Sequence, residues 1–451
     1  MTAALLVLVT RVAVADPPVY RLSLDQAVAA SLATSERLRA VESDLAAARA
    51  RASGAGALFW PRISVDASWR YVGVVPEMAI TPGHPIEFGA HRNWSVGPAA
   101  SWVVWDWGST YFTWRGARAA AEAAAAQVTL VRRQVRLSAS VAYAAVQMSA
   151  ESIRLLADSV SLAATQYADI GLRLRAGAAS RLDVLQAHQA VLARQREFTA
   201  ARTGLAAAIQ DLLDLTGESA TRWDTAFPLD DVTAASPPPE APAATVVAAL
   251  DAIDASVDAL EAAAGRAVMD PGHPSVASPA RMAEAARSSA NGITAARLPA
   301  VTVTGRLSRE YPNGPVLEDI NQRTVGVVAS LPIFEGFRRV RAARDQREQA
   351  RGWEDRRDAA AADLARDWRK AQDALAGLRV QRTTNRRAAE EAGELARLMY
   401  DAYKTGQARL IEVQTANLGV LQARVQETRT KAEMLVQFAL IRSLAKEDQT
   451  P

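Results

Sequence analysis

The sequence predicts a mainly α-helical protein with membrane-type β-strands, built from internally duplicated long helical hairpins and four strands per chain. Three observations support this fold class. The 451-residue chain repeats itself at a fixed offset, each half has about 70 residues without proline, and each half has two segments of alternating apolar and polar residues. Proline-free runs favour helices. Alternation with a period of two is typical of strands with one apolar face.

The duplication is visible without gaps over roughly 90 residues. The segment 96–101 (VGPAAS) matches 325–330 (VGVVAS), and Gly177 matches Gly406. Both pairs have one offset of 229 (325 − 96 and 406 − 177). A constant offset over this length indicates a true internal repeat, so the two halves are expected to contain the same elements in the same order.

The ends and the middle of the chain suggest the domain boundaries. A short apolar segment before Ala13-Val14-Ala15, an A-x-A cleavage site, predicts a signal peptide over residues 1–15, although Arg11 interrupts it and no basic residue precedes it. The first repeat then covers residues 16–220. A proline-rich linker covers 221–244, because the prolines of 237–239 cannot donate backbone hydrogen bonds. The second repeat covers 245–451.

Each repeat is predicted to open with helices. In the first half they run from Leu22 to about Gly54, and Ser23 with Gln26 forms a capping-box pattern. The second half has a weaker helical pattern at the equivalent place, over residues 245–264 and 278–295.

Two strands follow in each half. They are predicted at 61–73 and 93–105 in the first half and at 299–311 and 323–334 in the second. In the first strand one face carries Ile63, Val65, Ala67, Trp69 and Tyr71 and the other Ser64, Asp66, Ser68 and Arg70. Pro98 lies inside the second strand, where it removes a donor from the ladder and leaves the exact register open.

A long helical hairpin ends each repeat, over 107–217 and 336–446. No proline occurs from Trp107 to Gly177 or from Glu335 to Gly406, so each first arm can be a helix of roughly 100 Å. The return arms show a spacing of seven residues, which is coiled-coil periodicity. Its positions are Phe198, Leu205 and Leu212 in the first half and Ile411, Leu418, Val425, Ala432 and Ala439 in the second.

Four strands cannot close a sheet by themselves. No segment approaches about 20 consecutive apolar residues, so a membrane-spanning part would have to consist of strands. Open strand edges in lipid leave backbone groups unpaired, and small membrane barrels need about eight strands or more. Either the strands do not lie in a membrane, or several chains share one barrel: two chains would supply eight strands and three would supply twelve.

The composition excludes several functional classes. With 52 basic and 49 acidic residues the net charge of +3 gives no reason to expect nucleic-acid binding. The absence of cysteine excludes disulfides, thiolate catalysis and cysteine zinc sites. The four histidines, His84, His91, His188 and His273, show no metal-site spacing, and no phosphate loop or nucleophile elbow is present. We expect no enzyme activity, no cofactor and no metal.

The order of helix pair, two strands and long hairpin, occurring twice, resembles the TolC-like outer-membrane efflux proteins. The resemblance covers essentially the whole chain after the signal peptide. No single motif is diagnostic; order, spacing and duplication together carry the likeness. The segments concerned are 22–28 (LSLDQAV), 181–186 (RLDVLQ), 298–301 (LPAV), 331–336 (LPIFEG) and 403–406 (YKTG).

This resemblance implies a homotrimer whose twelve strands form a barrel in the lipid of the bacterial outer membrane, on an α-helical barrel that extends into the periplasm. It also implies docking to a periplasmic adaptor (membrane fusion) protein and an inner-membrane transporter. The expected function is a passive exit duct for small molecules or polypeptides in a tripartite efflux pump or a type I secretion system. The cargo and the class of pump are not indicated.

The resemblance also implies where the functional residues lie. Gly177 and Gly406 mark the hairpin turns that would surround the periplasmic aperture. Asp183 and Glu412 follow at equivalent positions and would line it; the alternative is that each is an acid favoured by the start of a helix. Arg181, Arg409 and Tyr403 would hold the aperture closed, or else be ordinary surface residues. The family pattern often has a second acid three residues after the first, whereas Thr415 occupies that position after Glu412.

Aromatic residues cluster around the first strand pair. Rings at the two membrane interfaces are typical of membrane barrels, and ordinary packing is the alternative. These residues are Trp69, Tyr71, Trp94, Trp102 and Trp105, with Trp107 just beyond them.

A protein of another class has to be considered: a soluble periplasmic coiled-coil scaffold or adaptor with the strands in a small β-domain. Adaptors normally carry one hairpin, whereas this chain has two, so the channel is the preferred interpretation.

Overall fold

The computed structural model describes residues 22–81, 84–87, 89–217, 250–314 and 316–446. The predicted signal peptide (1–15) and the predicted linker (221–244) lie outside these ranges. Within them the chain is mainly helical with one four-stranded sheet, which confirms the predicted fold class of the protomer. No helix in the described part of the chain is long and apolar enough to cross a membrane.

The elements occur in the same order in both halves, except that the first half adds a short hairpin. The first half contains α1 (Leu24–Thr34), α2 (Glu36–Ala57), β1 (Arg62–Tyr71), β2 (Glu77–Thr81), β3 (His84–Glu87), β4 (Arg92–Trp105), α3 (Ser109–Arg175) and α4 (Arg181–Thr216). The second half contains α5 (Ile253–Ala264), α6 (Pro274–Ala295), β5 (Ala300–Tyr311), β6 (Ile320–Ser330), α7 (Arg338–Lys404) and α8 (Leu410–Leu444).

The long helices have matching lengths. Both α3 and α7 contain 67 residues, and the return helices α4 and α8 contain 36 and 35. Helix α1 begins with the predicted capping box, in which Ser23 and Gln26 each accept a hydrogen bond from the other's backbone N–H. This reciprocal pairing satisfies two N–H groups that a helix start would leave unpaired.

The described chain separates into two compact units, and both halves of the sequence contribute to each. One unit contains residues 37–131 and 271–364, including the sheet. The other contains the described residues 22–36, 132–217, 250–270 and 365–446, including both hairpin turns.

In the sheet unit the strand order is β1-β4-β5-β6 and all pairs are antiparallel, while β2 and β3 form a separate hairpin. Ladder β1–β4 continues through Pro98, which lies opposite Val65. The proline therefore does not end the strand. Strands β1 and β6 form the two edges, and neither has a second partner strand in the described chain.

The strand and helix ends differ by a few residues from those predicted. Strand β6 occupies 320–330 rather than 323–334, because Pro332 lacks the N–H that a ladder requires. The long helices begin at Ser109 and Arg338, two residues later than predicted. The residues just before them have left-handed backbone conformations that a right-handed helix cannot contain.

The two faces of the sheet follow the predicted alternation. Ile63 and Val65 are each 74% exposed on one face, and Val325 and Val327 are exposed on the same face by register. The opposite face carries polar side chains such as Ser64 and Asp66, which are joined by a hydrogen bond of 3.3 Å. A sheet with an exposed apolar face and an exposed polar face needs different surroundings on its two sides.

In the hairpin unit a buried tyrosine connects the starts of the two repeats. Leu22 and Leu250 form a parallel bridge just before α1 and α5. The Tyr143 hydroxyl, on α3, donates to the Leu22 carbonyl (2.9 Å) and accepts from the Asp251 N–H (3.1 Å). Burial raises the pKa of Tyr143, so it stays neutral and keeps both bonds.

Candidate functional site

The two hairpin turns have the same geometry. Gly177 and Gly406 have φ of 74° and 76°, the left-handed conformation that glycine adopts without a steric penalty. The residue after each glycine donates to a carbonyl five residues back: Ala178 to Arg173 at 2.8 Å and Gln407 to Ala402 at 2.9 Å. This is the Schellman pattern that ends a helix. The duplicated glycines thus form two equivalent turns.

Both predicted aperture acids act as helix caps. The Asp183 carboxylate accepts from the Ser180 backbone N–H (2.9 Å) and hydroxyl (2.7 Å), and the hydroxyl accepts from the Asp183 N–H. The Glu412 carboxylate accepts from the Arg409 backbone N–H at 2.9 Å. Each acid thus satisfies a backbone N–H that the start of its return helix would otherwise leave unpaired.

A small apolar cluster holds the two turns together. Ile170, Ala187 and Leu410 are buried in it, and Val184 and Tyr403 pack against it. These residues come from α3, α4, α7 and α8, so both hairpins contribute. Asp183 and Tyr403 are brought close: burial raises the pKa of Tyr403, and the Asp183 carboxylate adds to that rise.

Beside this cluster lies a group of polar and aromatic side chains that we term the tip layer: Asp169, Arg173, Tyr400, Tyr403 and Lys404. The Asp169 carboxylate accepts from the Tyr400 hydroxyl (2.9 Å) and from Arg173 Nε (3.1 Å). The Arg173 guanidinium lies 5.8 Å from the Tyr403 ring centre, and Lys404 Nζ lies 4.4 Å from that of Tyr400. The tip layer therefore connects α3 to α7 through one shared carboxylate.

Electrostatics in the tip layer follow from these contacts. The hydrogen bond from Tyr400, with the Arg173 guanidinium, holds the pKa of Asp169 below its usual range. Burial, together with the same hydrogen bond, raises the pKa of Tyr400 to about 12. At neutral pH Asp169 is ionised and Tyr400 is protonated, which is the pair of states that the bond requires.

Sequence reasoning identified Tyr403 but missed Asp169, Arg173 and Tyr400. Asp169 and Arg173 are four residues apart, a spacing that brings side chains together on a helix. The bond to Tyr400 is not duplicated: the offset of 229 places Leu398 opposite Asp169 and Gly171 opposite Tyr400. Comparison of the two repeats therefore could not find it.

The predicted arginine partners have a different environment. Arg181 and Arg409 are exposed, and neither side chain forms an ion pair with any residue that the structure describes. Their role in holding the aperture closed stays a prediction.

The strand aromatics lie in two bands at opposite ends of the sheet. Trp69 is opposite Trp94 in the register, and the Trp94 ring stacks on Tyr311 with centres 6.4 Å apart. Trp102 and Trp105 lie at the other end of β4. Trp94 and Trp102 are eight residues apart (102 − 94), about 27 Å along a strand. The apolar band of a membrane barrel is about 25 Å tall.

Three of the four histidines have structural contacts. His91 Nδ1 lies 2.8 Å from the Val72 carbonyl oxygen, and His273 caps the start of α6. His188 packs against Tyr167. Within the described ranges no three His, Cys, Asp or Glu residues are grouped to hold a metal ion.

The sequence model of the family described as outer membrane efflux protein matches residues 27–218 and 272–445. The chain belongs to the outer membrane efflux protein family. Membership places it in the outer membrane and among channels rather than enzymes, and it sets aside the soluble periplasmic scaffold.

One curated relative is nodulation protein T from Rhizobium leguminosarum bv. viciae, 28% identical over 214 residues. The match covers 43% of this chain and 38% of the relative, so it spans about two fifths of that protein's length.

Several solved structures have the same fold as this chain. A membrane protein from Pseudomonas aeruginosa is 17% identical with a TM-score of 0.73, covering 94% of this chain and 93% of that chain. VceC from Vibrio cholerae is 16% identical with a TM-score of 0.73, covering 93% and 95%. MtrE from Neisseria gonorrhoeae, in its open state, is 15% identical with a TM-score of 0.71, covering 93% and 88%.

Proposed function

We propose that this chain forms a passive exit duct of an efflux pump or a type I secretion system, working as a homotrimer. The observation that carries the proposal is the four-stranded sheet, which has one apolar exposed face and two edge strands without partners. Unpaired edges are not tolerated in lipid, so other chains must complete the sheet. Three chains would supply twelve strands, within the range of membrane barrels.

The test of assembly is the mass of the full chain in mild detergent, by analytical ultracentrifugation with the detergent contribution subtracted. A particle three times the chain mass supports the proposal. A stable monomer that still conducts ions would overturn the shared-sheet argument.

The sheet faces can be tested separately. The chain contains no cysteine, so an introduced cysteine is the only thiol that can react with a labelling reagent. Cysteines at 64, 66 and 302 should react with a membrane-impermeant reagent, because these positions are assigned to the water-filled lumen. Cysteines at 63, 65 and 303 should react only after detergent extraction. The reverse pattern would place the apolar face towards water, since a shift by one residue exchanges the faces.

We place the periplasmic aperture at the hairpin turns. The support is the matched position of Asp183 and Glu412, each beginning a return helix after a left-handed glycine. Threefold symmetry would gather six carboxylates, which would attract cations to a narrow entrance. The channel should then be cation-selective and blocked by multivalent cations.

Replacing both acids by amides, Asp183→Asn with Glu412→Gln, tests this placement. Amide oxygens still accept hydrogen bonds from the backbone, so the helix starts are kept while the charge is removed. Single-channel recordings should show weaker selectivity and weaker block. Unchanged recordings from a folded trimer would mean that these acids serve only as helix caps and that the aperture lies elsewhere.

The partners of the duct are proposed to be a periplasmic adaptor (membrane fusion) protein and an inner-membrane transporter, which would supply the energy. The exposed hairpin turns are the natural docking place. Site-directed photocrosslinking from Leu182, which is exposed beside Gly177, should capture a periplasmic protein in cells. Capture of only lipid or of no protein would place docking at another surface.

A further inference from the structure

Each repeat passes from its second strand to its long helix through two consecutive left-handed residues. At the first junction these are Trp107 and Gly108, with φ of 56° and 85°. At the second they are Gly336 and Phe337, with φ of 58° and 62°. One residue of each pair is aromatic, in an unfavourable conformation for a bulky side chain.

The second junction exposes a dense apolar surface. Ile333, Phe334 and Phe337 are 91%, 79% and 64% exposed, and the two phenylalanine rings pack edge to face at 6.2 Å. The register places this surface just beyond β6, at the same end of the sheet where β4 finishes at Trp105. It is therefore continuous with the predicted membrane-facing surface at its helix end.

Positive charge begins directly behind these rings, on the first two turns of α7. The Glu335 carboxylate pairs with Arg339 (2.8 Å) and Arg338 (3.4 Å). Arg341 and Arg344 are exposed, and neither forms an ion pair with any described residue.

The acids that follow on α7 are already engaged. The Asp345 carboxylate accepts from Gln349 at 3.0 Å, and Glu348 pairs with Arg351 at 3.0 Å. Arg341 and Arg344 are therefore the guanidinium groups of the first two turns that no described carboxylate pairs with.

The duplicated first junction lacks this charge. The offset of 229 places Phe112 opposite Arg341 and Arg115 opposite Arg344. Arg115 is paired with Glu284 at 3.0 Å. The chain thus carries one charged and one uncharged version of the same turn, and the difference is unexplained by folding, since both versions form the same backbone structure.

We propose that the second junction binds an anionic phospholipid of the leaflet that faces the periplasm. Phe334 and Phe337 lie among the acyl chains near the interface, while Arg341 and Arg344 pair with the phosphodiester and the net negative headgroup. Arginine suits this role, because its planar fork donates two hydrogen bonds to phosphate oxygens and its stem tolerates an apolar surface. The proposal depends on the outer-membrane location and not on the duct function.

The experiment titrates short-chain phosphatidylglycerol into the full chain in neutral detergent, with phosphatidylcholine of the same chain length as the neutral comparator. Phosphatidylglycerol should bind more tightly. In the variant Arg341→Gln with Arg344→Gln, the affinity for phosphatidylglycerol should fall about fivefold for each arginine, roughly thirtyfold in all. The matched control is Arg387→Gln with Arg397→Gln, which removes two exposed arginines further along the same helix.

A second variant, Phe334→Ala with Phe337→Ala, should weaken the binding of both lipids by a similar factor, because acyl contacts do not depend on headgroup charge. Inorganic phosphate at millimolar concentration should not displace the lipid. The proposal is overturned if the double arginine variant binds phosphatidylglycerol like the unmodified chain, or if the control variant loses as much. It is equally overturned if the arginine variant dissociates the oligomer while the lipid preference is kept, which would place these arginines between chains.

Discussion

Tyr400→Phe should open the aperture by removing one hydroxyl from the tip layer. The Tyr400 hydroxyl bonds to Asp169 at 2.9 Å and so connects α7 to α3. A hydrogen bond to a charged group contributes about 1.5–3 kcal/mol when buried. Asp169 is 35% exposed, so about 1 kcal/mol per chain is the reasonable figure. If three chains open together, the open-to-closed ratio should rise roughly 100-fold.

The structure provides a matched control three residues away. Tyr403 is in the same layer, but its hydroxyl forms no hydrogen bond with any residue in the described ranges. Tyr403→Phe should therefore leave gating unchanged. Both substitutions keep the ring, and Phe at 400 keeps the surface on which Lys404 lies.

The measurement is the open probability of single channels in planar bilayers, with trimer mass checked in detergent. A Tyr400→Phe channel with the same open probability as the unmodified channel would refute the link. Equal opening by Tyr403→Phe would show that loss of polarity, rather than loss of one bond, is responsible.

Three further outcomes follow. Because the pKa of Asp169 is lowered and that of Tyr400 is raised to about 12, both groups are at neutral pH in the states that their hydrogen bond requires. Conductance should rise as pH falls below about 4 and as it rises from about 10 to 12, and Tyr400→Phe should lose the alkaline rise. Tyr143→Phe should cost about 1–3 kcal/mol in denaturant unfolding, because the Asp251 N–H loses its acceptor; an unchanged midpoint contradicts this. Gly336→Ala should lower the free energy of unfolding by about 1 kcal/mol. The cause is the left-handed φ of 58° alone, because an added Cβ meets no atom within 4 Å, and an unchanged Tm contradicts this.

The sequence was sufficient for features that depend on neighbours along the chain. The capping box at Ser23 and Gln26 and the turn glycines at 177 and 406 are local signals, and the structure contains all of them. The strand alternation from Ile63 to Tyr71 also appears as one exposed apolar face. The fold class follows, because the fixed offset requires both halves to repeat these signals.

Features that depend on contacts between distant segments could not be predicted. The bond between Asp169 and Tyr400 joins residues 231 positions apart, and no periodicity encodes it. The left-handed conformations of Trp107 and Phe337 were also missed, since an aromatic residue carries no signal for positive φ. Sequence reasoning expects only glycine there, and each junction has one glycine in a different place.

The two predicted aperture acids also differ in a way that only the structure shows, and the difference gives a last prediction. Asp183 accepts two hydrogen bonds from Ser180, one from the backbone and one from the hydroxyl. The equivalent of Ser180 is Arg409 (409 − 229), whose side chain makes no such bond, so Glu412 accepts only one, from the Arg409 N–H.

Glu412 is also exposed, whereas Asp183 is partly buried. Its charge is therefore less compensated by local donors and less shielded from a passing ion. Glu412→Gln alone should reduce cation selectivity more than Asp183→Asn alone. Conversely, Asp183→Asn should cost more stability, because it weakens two bonds rather than one. Reversal potentials in asymmetric salt and thermal unfolding of the same two variants check both halves of the expectation. Equal effects on selectivity would mean that the position of each carboxylate in the fold, and not its local hydrogen bonding, determines its contribution to cation selectivity.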